Sequence, residues 1–206
     1  LTALPGVRAV GVTASVPLGL NTSDRGIEVP GYVPAKHEGM SIYYASVRPG
    51  YFAAMGIPLV RGRDFGPQDD TTGAPVIVVN ERFATKYWPG QEAVGKVVRT
   101  AGKEHTVIGV VPTGKYVRLG EDPESFIWFP QAQQWQGSMT VVVRTAADPS
   151  AFVPTLRGVL ADMDANLPLS NLRTVDQHLS FSLLPARVTG IALGVFGLLG
   201  LLLASV

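Results

Sequence analysis

The strongest restriction on this chain lies at its C-terminal end. Residues 188–206 read VTGIALGVFGLLGLLLASV, 19 positions without a charged side chain. At about 1.5 Å of rise per residue, a helix of that length nearly crosses a hydrocarbon core of about 30 Å. A water-exposed helix needs a polar face, and repeated glycine weakens any helix in water, so the run is expected to be a transmembrane helix. Its C-terminal place excludes a secretory signal peptide. Gly190, Gly194 and Gly197 recur at i, i+4 and i+7. That spacing puts them on one helix face, where a neighbouring membrane helix can approach closely. Arg187 is the one cation beside the run, too little to orient it by loop charge. The chain is expected to be a piece of a longer membrane protein, cut within this helix.

The remainder has room for one ordinary domain or two small ones. Hydrophobic residues make up 46% of the 206 and charged residues 16%, which excludes a chain disordered throughout. With 17 basic and 16 acidic residues the net charge is +1, so the chain lacks the field that holds a phosphate backbone, and no nucleic-acid partner is expected. The absence of cysteine excludes a disulfide scaffold, a thiolate metal site and a cysteine nucleophile.

Hydrophobic patterning divides the chain into three stretches. In the first, residues 7–15, 25–29 and 41–48 suit strands, with Tyr43 and Tyr44 on opposite faces of the last. Pro49 opens a short helical turn that ends at Gly56, and residues 58–61 suit another strand. In the middle, Asn80 caps a helix that Pro89 and Gly90 stop. Short strands are expected at 75–79, 94–100, 105–111 and 125–129, followed by a glutamine-rich loop at 131–136. The last stretch returns to an α/β pattern. A strand at 139–144 leads to Asp148 and Pro149 as N-cap and first helical residue. Phe152, Val153, Leu156, Val159, Leu160 and Met163 then form one apolar stripe, interrupted by Pro154. A strand near 169–172 and a capping box, Thr174-x-x-Gln177, follow.

Residues that could carry chemistry are scattered. Residues 90–96 and 109–115 each match G-x-x-x-x-G-K, but Val97 and Tyr116 stand where a phosphate loop needs Ser or Thr, so both read as turns between strands. Asp162, Asp164 and Asn166 imitate the start of a calcium loop, yet Leu167 and Arg173 replace its glycine and its bidentate glutamate. His37, His105 and His178 fall in three separate segments without metal-ligand spacing. Asp64, Asp69 and Asp70 sit in a turn-rich stretch where carboxylates usually hold backbone amides. Arg61 and Arg63 are too few for a nucleic-acid patch. Trp128, Phe129 and Trp135 read as core, with an exposed apolar patch as the alternative. No catalytic residue, cofactor or metal is expected.

Seven stretches, in order, resemble the extracytoplasmic core domain of MacB/FtsX-type ABC transporter permeases. They are YFAAMGIPLVRGRDF (51–65), VVNERFATKYWPGQEAVGK (78–96), VIGVV (107–111), FIWFPQAQ (126–133), VVVRTAADP (141–149), LRGVLADMDANLPL (156–169) and RTVDQHL (173–179). The resemblance implies an α+β fold. In it a discontinuous porter-like α/β subdomain, residues 1–61 and 138–182, is interrupted by a small β-rich sabre-like subdomain at 62–137 and followed by the start of a transmembrane helix at 188–206. It further implies a non-catalytic domain that couples ATP-driven motion of membrane helices to export or to regulation of a partner. The implied partners are an ABC ATPase subunit, a second permease protomer in a dimer, the lipid bilayer, and a periplasmic or outer-membrane protein. Residues 1–182 would lie on the periplasmic side of the inner membrane. Two readings from other classes compete: a membrane-anchored hydrolase using His105 or His178 with an acid, and a solute-binding module.

Overall fold

The computed structural model describes residues 1, 3–19, 22–163 and 172–182. Residues 1–165 form one compact unit and residues 166–206 a second. The first unit is α+β and is built on one mixed sheet. Its strands in chain order are β1 (Val7–Thr13), β2 (Ser23–Gly26), β3 (Ser41–Val47), β4 (Arg61–Gly62), β5 (Val76–Asn80), β6 (Val97–Thr100), β7 (Lys103–Val111), β8 (Phe126–Pro130) and β9 (Thr140–Thr145). Across the sheet the order is β4-β7-β5-β8-β3-β1-β9, with β2 pairing β3 and β6 pairing β7.

The centre of the sheet explains the composition of the middle of the chain. β5 (VIVVN) and β8 (FIWFP) are buried at every position, as strands covered on both faces must be. Alternation sends their side chains to two separate cores. Val76 and Val78 join Phe126 and Trp128 on one face, against Tyr51 and Phe52 of α1 (Tyr51–Met55). Ile77 and Val79 join Ile127 and Phe129 on the other, against Phe83 of α2 (Glu81–Tyr87). Tyr43 packs on the first core and Tyr44 on the second, as the strand period requires.

Local signals place both helices. Asn80 Oδ1 accepts the Phe83 amide at 3.0 Å and caps α2. α1 ends where Gly56 takes a left-handed conformation and the Ile57 amide reaches back to the Phe52 carbonyl at 2.8 Å. It lies directly on β1 because Gly11 has no side chain: a Cβ there would stand 2.6 Å from Tyr51 Cα.

Four expected strands are shorter or displaced, β1 ending at Thr13 rather than at residue 15. Residues 58–61 contribute only Arg61 to β4, since Pro58 has no amide to give a ladder. Residues 94–100 form regular strand only from Val97, after a turn in which Gly95 has φ +87° and its amide bonds the Val107 carbonyl at 2.8 Å. The strand expected at 25–29 runs instead over Ser23–Gly26, and Glu28 makes one isolated bridge to Arg99.

Segments 1–61 and 62–137 share both cores and one sheet. β3 pairs in parallel with β8 from Tyr43↔Phe126 to Val47↔Pro130. β4 straddles the two segments and pairs with β7 through Arg61↔Val110 and Gly62↔Gly109.

α3 (Pro149–Met163) starts where expected, with Asp148 Oδ1 accepting the Ser150 amide at 2.9 Å, and it continues through Pro154. Phe152, Val153, Leu156 and Val159 form its inner stripe, each half-buried rather than fully covered. In the second unit the expected capping box is present: Thr174 Oγ1 accepts the Gln177 amide at 3.2 Å, and Gln177 Oε1 accepts the Thr174 amide at 3.0 Å, opening α4 (Val175–Ser182). Among the described residues no helix is long and apolar enough to cross a membrane. The expected transmembrane run with Gly190, Gly194 and Gly197, most of the strand at 169–172, and Asp164 and Asn166 lie outside the described residues.

Candidate functional site

The three aromatics considered together in sequence separate in the fold. Trp128 and Phe129 are core residues, 2% and 1% exposed, whereas Trp135 is 76% exposed. The turn at 131–136 that carries Trp135 is held from below by its glutamines. Gln131 Oε1 accepts Arg48 Nε at 2.5 Å, just beyond the end of β3. Gln133 Oε1 accepts the Val76 amide at 3.0 Å, and its Nε2 donates to the carbonyls of Asp70 and Ala74, which ties the turn to the start of β5. Gln134 Oε1 accepts Arg25 Nη1 at 3.2 Å. The polar side chains thus face inward and the indole faces solvent, a fixed aromatic of the kind that anchors protein contacts.

Arg25 reaches the turn across β3 and β8. Its guanidinium carbon lies 4.0 Å from the ring centre of Tyr44 and 4.8 Å from that of Phe129, a cation held on two aromatic faces. His105 meets the same Phe129 ring edge-on, centroids 5.3 Å apart and planes at 83°. Sequence reading missed this array because its members come from β2, β3, β7 and β8. The nearest local clue was the glutamine-rich composition of the turn.

The geometry a hydrolase would need is a histidine bonded to a carboxylate. His105 Nδ1 is instead buried without a hydrogen-bond partner, and burial pushes the imidazole pKa down. His37 is exposed in the loop after β2 with φ +71°, and His178 lies on α4 in the second unit. Among the described residues no group of three or more His, Asp or Glu side chains is placed to hold a metal.

The carboxylates of the 64–73 turn do what turn carboxylates do. Asp69 forms a two-point pair with Arg63, at 2.7 and 2.8 Å, and takes the Gly66 amide. Arg63 holds the Asp69 carboxyl below its ordinary range. Asp70 accepts from Thr72 and Gly73. Asp64 accepts the Phe65 amide, while burial raises its pKa. The glycine motifs behave likewise: Gly90 and Gly95 are left-handed turn residues, and Gly109 lies inside β7, where a Cβ would stand 2.5 Å from the Arg63 carbonyl oxygen.

The molecule therefore presents a two-faced sheet and a braced, tryptophan-bearing turn. Its sequence matches the family described as MacB-like periplasmic core domain over residues 1–159. The chain belongs to that family. The fold of this MacB-like domain is also that of two solved structures. The periplasmic region of MacB from Actinobacillus actinomycetemcomitans superposes with a TM-score of 0.55 at 18% identity, over 79% of this chain and 70% of that one. The extracellular domain of YknZ, a noncanonic ABC-type transporter from Gram-positive bacteria, gives 0.52 at 18% identity, over 80% of each chain. No curated protein sequence matches significantly. The resemblance read from the seven stretches holds, and with it the α+β architecture.

Proposed function

We propose that residues 1–182 are the extracytoplasmic, non-catalytic part of an ABC transporter permease, passing ATP-driven motion of membrane helices to an exported substrate or a regulated partner. The observation that carries this reading is the family match over residues 1–159, supported by the likeness to domains of MacB and YknZ. On this reading ATP is hydrolysed by a separate ABC ATPase, and a second permease protomer completes a dimer. Residues 188–206 enter the inner membrane, with Gly190, Gly194 and Gly197 against a neighbouring helix. The porter-like part takes in residues 1–61 and 138–182 and the sabre-like part residues 62–137. The parallel β3–β8 ladder joins them, together with the Arg61–Val110 pairing of β4 and the Glu28–Arg99 bridge. The braced turn around Trp135 offers a contact for a periplasmic or outer-membrane partner.

The test uses the full-length parent protein in native membranes. Co-purification with an ABC ATPase whose hydrolysis rate changes when residues 1–182 are deleted is the expected result. A permease preparation with no associated ATPase activity refutes the reading.

A further inference from the structure

We propose that Arg25, Phe129 and His105 form a pH-responsive latch on the turn that displays Trp135: neutral His105 leaves the latch closed, and a proton on His105 opens it. This goes beyond the transporter reading and does not depend on it.

One ring serves two basic side chains. Phe129 carries the Arg25 guanidinium on its face and meets the His105 ring edge-on. Arg25 Nε and His105 Nδ1 are both buried without a hydrogen-bond partner, so Arg25 is held in the array by ring contacts and by its bond to Gln134, and His105 by its ring contact and the Lys103 backbone. A second positive charge finds no carboxylate in it. From β2, His105 is approached by Arg25. From β8 it meets Phe129, and from β6 its register partner Val98. On its own strand Lys103, two residues away, shares its face, while Glu104 points to the other side. There Glu104 binds Arg99, which also holds Glu28. The turn itself offers a neutral amide, Gln134.

His105 thus faces two cations and no carboxylate. Burial lowers its proton affinity below the ordinary imidazole value; a hydrogen bond to the Lys103 backbone partly offsets this, and the charges of Arg25 and Lys103 add to the lowering. When the proton does bind, two like charges share the Phe129 ring in a partly desolvated site, where repulsion is weakly screened. Arg25 is the member that can leave, since it is half-buried and reaches the site on a long side chain. Its departure breaks the Gln134 bond and frees that corner of the turn.

The test is an NMR titration of the isotopically labelled full chain in detergent micelles, from pH 7.5 to about 4.5. It follows the three histidine rings and the backbone amides of residues 131–136. The expected result is a His105 midpoint below about 6.5, with the turn amides shifting at that same midpoint. In His105→Gln the amide shift disappears, and in Arg25→Gln the His105 midpoint rises. Turn amides that stay still while His105 titrates overturn the proposal, as does an unchanged amide titration in His105→Gln. If His105→Gln fails to fold, Arg25→Gln decides: a His105 midpoint equal to that of the wild type refutes the latch.

Discussion

Asn80 shows how much one side chain can be asked to do. Its Oδ1 accepts the amides of Phe83, at the start of α2, and of Phe126, at the start of β8. Its Nδ2 donates to the Glu124 carbonyl at 2.7 Å and to the Tyr116 hydroxyl at 3.2 Å. The residue is fully buried, so every lost bond leaves a desolvated group behind. Asn80→Ala is expected to cost about 2–4 kcal/mol in chemical denaturation, combining a lost cap with unsatisfied buried groups. Asn80→Asp keeps both acceptor contacts but sets a carboxylate against the Glu124 carbonyl, and it too should destabilise markedly. Equal stability of Asn80→Asp and wild type would show that the two donated bonds contribute nothing.

Asp69 makes a pH-dependent contribution whose sign follows from its partners. Arg63 and the Gly66 amide favour the carboxylate, so its folded pKa lies below the unfolded value of about 3.9. The stabilisation is therefore present above pH 4 and lost as pH falls through the folded pKa. The Asp69 side chain is 3% exposed but that of Arg63 is 44% exposed, and solvent screening holds the pair to about 1 kcal/mol. Asp69→Asn should be less stable than wild type by that amount at pH 7, with the gap closing below pH 4. A gap that persists at pH 2 would assign the effect to packing instead.

At the scale of elements, close approach decides where the first helix sits. α1 has five residues, too few to be stable alone, and it depends on burying Tyr51, Phe52 and Ala54 against the sheet. Gly11→Ala places a methyl 2.6 Å from Tyr51 Cα and 3.1 Å from Ala54 Cβ, which forces α1 away from β1. A loss of about 1–3 kcal/mol is expected, as for other overpacked interiors, read as a lowered denaturation midpoint. An unchanged midpoint would mean that α1 is free to slide. α2, by contrast, was legible in the sequence from Asn80 to Pro89-Gly90, because its start and stop are local hydrogen-bonding and φ restrictions.

At the scale of the whole molecule, the continuity of the sheet governs behaviour. Segment 62–137 loses its β3 partner when cut out. It also loses the side chains of Ile27, Val29, Ile42, Val47, Tyr51 and Phe52 from its two cores. Expressed alone, it is expected to lack a cooperative thermal transition, whereas residues 1–165 should melt as one unit. A cooperative melt of the isolated segment would show that β5, β6, β7 and β8 are self-sufficient.

The sequence by itself determined which residues form the elements around Asn80, Gly56, Asp148 and Thr174, because caps, turns and strand alternation act over a few positions along the chain. It also determined the family, through seven stretches in a characteristic order. Only the tertiary structure decided that β3 lies beside β8, that Trp135 leaves the core while Trp128 and Phe129 remain in it, and that Arg25 and His105 share one ring. Those are contacts between residues tens of positions apart, and no local period or propensity encodes which strand a given strand will pair with.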